Sequence, residues 1–238
     1  MKILLTGKDG QVGFALHKKL TSLCEVIATN RDMLDLNDPE AIRIFIDKTK
    51  PDIIINPAAY TKVDQAESEK DLAFQINAIS PQVLAEKASE LNIPIIHFST
   101  DYVFDGSGTS PWTEADATGP LSVYGQTKLE GEQAVALNPK HLILRTSWVY
   151  ATRGGNFAKT MLRLAGERES LTVINDQFGA PTSAELLADV TAHAIRTLQT
   201  RPELAGLYHC TAAGQTTWHG YAQFVLAEAA ALGLPLKA

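Results

Sequence analysis

Apolar residues along this chain fall into two kinds of run. Five are compact and rich in branched side chains, at 3–5, 26–28, 53–55, 95–98 and 142–144. Short runs without polar alternation suit strands buried on both faces. Between them, at 11–20, 39–49, 72–91 and 122–137, apolar positions recur with helical period. The second of these opens on Asn37-Asp38-Pro39, an N-cap followed by a proline that a first helical turn tolerates. Strand and helix in repeated alternation predict an α/β fold, a doubly wound parallel sheet of Rossmann type.

The rhythm changes after Trp148. Helices are expected at 157–165, 184–198 and 218–232, with short strands at 171–174 and 207–209. Loops rich in Gly, Asn, Thr and Pro, at 152–156 and 177–183, separate them. These pieces read as an elaboration of the first part rather than an independent domain. The chain contains no internal repeat and no low-complexity tract.

Composition narrows the class. With 238 residues, 45% hydrophobic and 20% charged, the chain can bury a full core and is not expected to be disordered. The net charge of −6 comes without a basic stripe, which argues against nucleic acid or an anionic membrane as partner. Ile3-Leu4-Leu5 is too short for a signal-peptide core, and no window approaches the ~20 apolar residues of a membrane span. The cytoplasm is the expected compartment. Cys24 and Cys210 are too few for a disulfide framework or a zinc cluster and read as reduced thiols. None of the six histidines pairs at zinc-ligand spacing; His97, within an apolar run, reads as a hydrogen-bonded core residue. Trp112 and Trp218 read as packing residues.

Three patterns carry chemistry. Thr6-Gly7-Lys8-Asp9-Gly10-Gln11-Val12-Gly13 lies between the first strand and the first helix. There Gly7 permits a tight turn, Gly10 lets the backbone approach a pyrophosphate, and Gly13 allows close helix packing. At the end of the second strand an acidic residue would bind the 2′-hydroxyl of NAD, but the chain has Asn30-Arg31. Arg31 either accepts a 2′-phosphate or is a solvated loop residue; the expected cofactor is NADPH, with NADH usable. Asp35-Leu36 is placed to border the adenine, and Ala58-Ala59-Tyr60 the nicotinamide ribose, since ligands sit outside the carboxyl ends of the strands. Asn77, a poor helix former inside a helical stretch, either bonds a local backbone or holds a water near Lys128.

The third pattern is Tyr124-Gly125-Gln126-Thr127-Lys128. Residues four apart share a helix face, so the phenol and the ammonium would sit side by side and the cation would lower the tyrosine from about 10. A hydroxyl at the preceding strand end, Thr100 or Ser99, could hold the oxygen that takes the proton. The chemistry implied is carbonyl reduction.

These segments occur in order with Pro57 to Thr61, Val63-Asp64, Ala66-Glu67, Ser99 to Phe104, Arg145-Thr146-Ser147-Trp148-Val149-Tyr150, Asn156-Phe157 and Asp176-Gln177-Phe178-Gly179-Ala180-Pro181-Thr182. The set resembles the extended short-chain dehydrogenase/reductase family, and within it the reductases of nucleotide-linked keto-sugars. The resemblance implies an NAD(P)-binding Rossmann domain over 1–150 and a substrate-side part over 151–238. It implies hydride transfer to C4 of a dTDP-linked 4-keto-sugar, with Tyr124 as general acid, Lys128 as its electrostatic and ribose-binding partner, and Thr100 as the orienting hydroxyl. Gly10, Gln11 and Val12 match the pyrophosphate loop, Ala58, Ala59 and Tyr60 the ribose and nicotinamide contacts, and Thr100, Asp101 and Trp148 the sugar side. For Trp148, core packing is the equal alternative.

The chain also departs from the family pattern. Members continue past the position of Ala238 with arginine and proline contacts to the substrate, so incomplete nucleotide binding is expected. Some members are dimers joined through a magnesium ion held by glutamates; Glu185 matches one ligand but Ala15 replaces another, so no such metal site is expected and a homodimer stays an open option. A relative that serves as the NADP-binding regulatory subunit of methionine adenosyltransferase, or another nucleotide-sugar reductase or epimerase, is the alternative reading. The full trio Thr100, Tyr124 and Lys128 favours the enzyme.

Overall fold

Branched residues with no polar face pair into the centre of a sheet, because both of their faces must be covered. In the computed structural model, which describes residues 1–237, the first half of the chain alternates as expected. It runs β1 (Lys2–Leu5), α1 (Gln11–Leu20), β2 (Glu25–Ala28), α2 (Pro39–Thr49), β3 (Ile53–Asn56), α3 (Val63–Ala66) and α4 (Lys70–Phe74). A π-helical turn (Gln75–Ile79) leads into α5 (Ser80–Glu90), β4 (Ile95–Thr100), a 3-10 turn (Asp101–Val103), α6 (Val123–Ala136) and β5 (His141–Thr146). Beyond lie β6 (Val149–Tyr150), α7 (Phe157–Glu167), β7 (Phe178–Gly179), β8 (Thr182–Ser183), α8 (Ala184–Thr200), β9 (Gly206–His209), β10 (Thr216–Thr217) and α9 (Trp218–Ala231). No helix among the described residues is long and apolar enough to cross a membrane.

The main sheet has the order β2-β1-β3-β4-β5-β9, every pair parallel. The chain steps outward from β1 to β2 and then crosses to β3 on the other side, which opens a crevice at the carboxyl ends of β1 and β3. Residues after 150 divide between two places. The α8 side chains Ala184, Leu187, Ala188, Ala192 and Ile195 share a core with Ile3, Leu5 and Leu16, and β9 completes the sheet beside β5. Two small ladders, β6 with β8 and β7 with β10, add the remaining strands.

Local sequence explains where helices start. Asp38 accepts from the N–H groups of Glu40 and Ala41, at 3.0 Å each, and Ser122 accepts from Gly125 at 3.1 Å. Such caps are each worth about 1 kcal/mol.

Two sequence expectations need correction. The helix expected over 72–91 is broken by the π turn. Pro81 has no N–H to return to the Asn77 carbonyl, so the ladder cannot run through as an α-helix there. That carbonyl packs against α6 instead, where a Cβ on Gly131 would sit 2.1 Å from it. The strand expected over 171–174 is absent: Ile174 offers its carbonyl to the His219 N–H at 3.0 Å, and no ladder forms. Branched residues favour strands only where a partner edge is available.

Glycine substitutions test this packing. Gly131→Ala should cost roughly 1–3 kcal/mol in urea unfolding, because the added methyl must displace the Asn77 carbonyl. Gly166→Ala in α7, where a Cβ meets nothing within 4 Å, should be neutral or stabilise by up to about 1 kcal/mol. A Gly131→Ala protein as stable as the parent would contradict the close approach of α6.

Candidate active site

The glycine turn is shaped by contacts that only hydrogen side chains permit. Gly7 has φ +60°, and a Cβ there would lie 2.9 Å from Ala58 Cβ; a Cβ on Gly13 would lie 2.0 Å from the Gly7 carbonyl oxygen. The Gly10 N–H closes the turn on that same oxygen at 3.0 Å. Helix α1 then begins at Gly10 with no side-chain cap and no acidic residue in its first turn. The N–H groups of Gln11, Val12 and Gly13 therefore open the positive end of a helix toward the crevice, a cradle that fits a pyrophosphate. The Gln11 side chain is engaged elsewhere. Its side chain bonds the Val149 carbonyl at 3.4 Å and Asn156 Nδ2 at 2.9 Å, which lays the loop at 151–156 over the turn.

That loop supplies a residue the sequence reading missed. Arg153 reaches Asp9 on the glycine turn at 3.6 Å, and its guanidinium lies 4.5 Å over the Phe14 ring. It adds positive charge beside the cradle from 144 residues away in sequence. A lone arginine in a Gly-Gly loop carries no local signal of such a place.

At the end of β2, Asn30 donates to Asp9 at 3.0 Å, a bond that is the first cause holding the Asp9 carboxyl below its usual range. Arg31 is 3.8 Å from Asp35, and its side chain is 74% exposed, so it stands free to meet an anion or water. Asp35 accepts from the Asn37 N–H at 2.9 Å, and the Leu36 carbonyl accepts from the Ser80 hydroxyl, contacts that fix the loop beyond β2.

Ala58 rests on the glycine turn, while Tyr60 is held by Asn77: the Tyr60 N–H donates to Asn77 Oδ1 at 2.8 Å and Asn77 Nδ2 donates to the Tyr60 carbonyl at 3.1 Å. Asn77 also donates to Thr127 Oγ1 at 3.2 Å. The backbone that Asn77 bonds is thus 17 residues away rather than in its own helical stretch. The Tyr60 hydroxyl donates to Glu69 at 2.7 Å; burial and that carboxylate push its phenol up to about 12.

The helix α6 lies across β4 and β5 with its polar face inward. Tyr124, Lys128 and Glu132 are spaced by four and share that face. Glu132 forms a buried, two-pronged ion pair with Arg145 of β5, at 2.9 and 2.7 Å. Tyr124 lies beside Thr100 at the end of β4, and its ring meets that of Tyr102 edge-on with centroids 5.5 Å apart. Thr100 in turn donates to Asp101 Oδ1 at 2.9 Å and accepts from the Tyr102 N–H at 3.2 Å. Of the two hydroxyls considered, Thr100 takes the site; Ser99 Oγ has no partner among the described residues.

The expected electrostatic pairing of Tyr124 with Lys128 is corrected here. Lys128 is fully buried and donates to the Phe98 carbonyl at 2.7 Å, with His97 Nε2 at 3.3 Å. Burial pulls its amine down to about 8, against a smaller upward pull from Glu132. Burial raises the Tyr124 phenol well above 10; the Thr100 bond lowers it, and Asp101 and Tyr102 raise it further. A shared helix face did not guarantee contact, because the Phe98 carbonyl offers the amine a closer partner. Burial likewise raises Asp101 to about 6, opposed by bonds from Thr100 and two backbone N–H groups.

Trp148 has φ +48°, a left-handed conformation costly for a residue with a Cβ. Its indole stacks on Trp218 with centroids 3.6 Å apart, and a Cβ on Gly179 would lie 2.5 Å from the ring. Phe157 packs on the other side of the pair. Trp148 is thus half-buried, and its stacking on Trp218 ties the end of β5 to α9.

A parallel sheet with a glycine-turned helix at its switch point, faced by a tyrosine and lysine on one helix, places the molecule in the class of Rossmann proteins of short-chain dehydrogenase/reductase type. The chain belongs to the family described as RmlD substrate binding domain, whose model matches residues 1–238. It is 55% identical to a dTDP-4-dehydrorhamnose reductase of Salmonella typhimurium over 99% of this chain and 81% of that protein. The crystal structure of a dTDP-4-dehydrorhamnose reductase from Clostridium acetobutylicum superposes with a TM-score of 0.92 at 42% identity, covering 99% of this chain and 82% of that one. A dTDP-4-dehydrorhamnose reductase from Bacillus anthracis, solved in complex with NADP, gives a TM-score of 0.90 at 36% identity, over 96% of this chain and 80% of that one.

The raised Asp101 carboxyl has a measurable consequence. Its folded-state value of about 6 lies above the unfolded one, so its proton stabilises the folded chain at low pH, and that stability is lost as pH rises through 6. Asp101→Asn keeps an acceptor for Thr100 and removes the titration. Relative to this variant, the parent should lose on the order of 2 kcal/mol of unfolding free energy between pH 4 and pH 7. Parallel pH profiles for the two proteins would refute the raised carboxyl.

Proposed function

We propose that this chain reduces the C4 keto group of dTDP-4-dehydro-β-L-rhamnose to give dTDP-L-rhamnose, in the cytoplasm, with NADPH as the preferred cofactor and NADH usable. One observation carries the reading: Tyr124 and Lys128 share one face of α6, with Tyr124 beside Thr100 at the carboxyl edge of the sheet, on the crevice the glycine turn opens. Identity of 55% to a dTDP-4-dehydrorhamnose reductase over nearly the whole chain supports the choice of sugar.

When bound, the reduced nicotinamide supplies the hydride. The protein's part is to hold the sugar ketone and deliver one proton. Thr100 turns its hydroxyl proton from Asp101 to the ketone oxygen, and Tyr124 gives its proton to that oxygen as negative charge develops. The raised phenol stays protonated at working pH and so is present as the donor. Lys128 supplies positive charge one helical turn away, and the N–H groups at the start of α1 hold the pyrophosphate. Asp101 and Trp148 border the sugar side, while Asn30, Arg31, Asp35 and Leu36 border the adenosine.

Tyr124→Phe keeps the ring and removes the donor. NADPH oxidation in the presence of the dTDP-linked 4-keto-sugar should fall 10²- to 10⁴-fold with cofactor affinity retained. Equal rates would remove Tyr124 from the acid role, and absence of turnover in both proteins despite NADPH binding would overturn the reductase reading. Arg31→Ala should raise the KM for NADPH roughly tenfold and leave that for NADH unchanged, as expected for loss of one charge-assisted bond. An equal effect on both cofactors, or on neither, would assign Arg31 to the solvated surface.

A further inference from the structure

Beneath the proposed site runs a line of polar side chains, all sealed from solvent. The Thr6 hydroxyl donates to Asn56 Oδ1 at 2.6 Å, Asn56 Nδ2 meets His97 Nδ1 at 3.1 Å, and His97 Nε2 meets Lys128 Nζ at 3.3 Å. Thr6, Asn56, His97 and Lys128 are 1%, 0%, 0% and 2% exposed, so none can turn to water for a partner. They stand at the ends of β1 and β3, on β4 and on α6, one link per element.

Donor and acceptor counting allows this line two arrangements. In the first, Thr6 donates to Asn56, Asn56 donates to His97 Nδ1, and the remaining ring proton sits on Nε2 and points at Lys128. A charged ammonium has no lone pair to receive it, but a neutral amine does. In the second, every bond reverses: Lys128 donates to Nε2, Nδ1–H donates to the Asn56 carbonyl oxygen, and the Asn56 amide donates to Thr6. That order needs the ammonium. In both, the amine keeps its bond to the Phe98 carbonyl. A neutral imidazole serves both, and burial with the nearby Lys128 holds His97 well below its ordinary value.

We propose that His97 is a positioning residue for Lys128, switching tautomer with Asn56 and Thr6 so that the buried amine keeps its hydrogen bond to the ring whether or not it carries its extra proton. The proposal rests on the reading of Lys128 as part of the reductase site. It makes the lysine's charge adjustable at low cost, since the amine never has to give up its bond to the ring. It also ties that charge to Thr6, the residue that opens the glycine turn.

The other charged groups around Lys128 are accounted for. Glu132 on its own helix is held by Arg145 from β5. Asp101 from the 3-10 turn and Tyr124 engage one another's neighbour, Thr100. The π turn presents only the neutral Gln75 and Asn77. On α5, Glu86 pairs with Arg43, and Lys87 with Asp47 and Glu90. Asp64 of α3 and Lys70 and Asp71 of α4 are exposed, and Glu67 accepts from the Val123 N–H.

The test reads the ring directly. In the full chain labelled with ¹⁵N-histidine, the two His97 nitrogen shifts should exchange character between pH 6 and pH 10, from Nδ1–H at low pH to Nε2–H at high pH. The midpoint should coincide with that of the Lys128 amine. One fixed tautomer throughout, or an imidazolium signal in this range, would overturn the proposal. Kinetics give a second reading. His97→Leu should move the alkaline limb of kcat/KM for the keto-sugar down by about one pH unit, and His97→Gln, whose amide can donate or accept, should restore it. An unmoved limb in His97→Leu, or no recovery in His97→Gln, would also overturn it. The tautomer exchange is read without substrate, so a failure of the reductase reading would leave it in place and be seen separately in the Tyr124→Phe assay.

Discussion

Helix α6 brings three groups that dislike burial, Tyr124, Lys128 and Glu132, against the face of β4 and β5, and each must find a partner there. Tyr124 finds Thr100, Lys128 finds the Phe98 carbonyl and His97, and Glu132 finds Arg145. A buried charge left alone costs several kcal/mol, so these partners fix the helix in both rotation and height. Gly125 and Gly131 permit the approach. A Cβ on the first would lie 2.2 Å from the Tyr102 carbonyl oxygen, and one on the second would strike Asn77. The helix is therefore set by close backbone contact on two sides and by charge in the middle.

That constraint propagates outward. Because α6 leans on the Asn77 carbonyl, the helix before β4 takes its π turn there, and the turned Asn77 side chain clamps the Tyr60 backbone. Ala58, two residues earlier, supports Gly7. The glycine turn and the Tyr124 helix, far apart in sequence, are thus braced through one chain of contacts. The small residues along it are where backbones must touch, and the polar ones are where those backbones need partners.

Most of the sheet was legible in the sequence, since strands buried on both faces announce themselves locally in runs such as Ile53-Ile54-Ile55. The glycine turn was legible for the same reason, as was the capping of α2 by Asp38. The features that escaped depend on partners distant in sequence. The π turn needs Gly131 as well as Pro81, the lost strand over 171–174 lacked an edge to join, and Arg153 reaches the turn from a separate loop. Lys128 shows the limit most clearly. Helical spacing placed it correctly beside Tyr124, but the choice between the phenol and the Phe98 carbonyl is made by strand β4, about which helix periodicity says nothing.

The completion of the core by α8 bears on how the chain is made. Ile3, Leu5, Ile53, Ile55, Phe98 and Leu144 share one apolar cluster with Ala184, Leu187, Ala188 and Ile195. When the first five strands have left the ribosome, the helix that covers much of that face has not yet been translated. At roughly 5–20 residues per second, a greasy surface stays uncovered for seconds. Nascent chains at this stage are natural clients for a holding chaperone, and synonymous codon changes between 150 and 200 would alter yield without altering a single side chain.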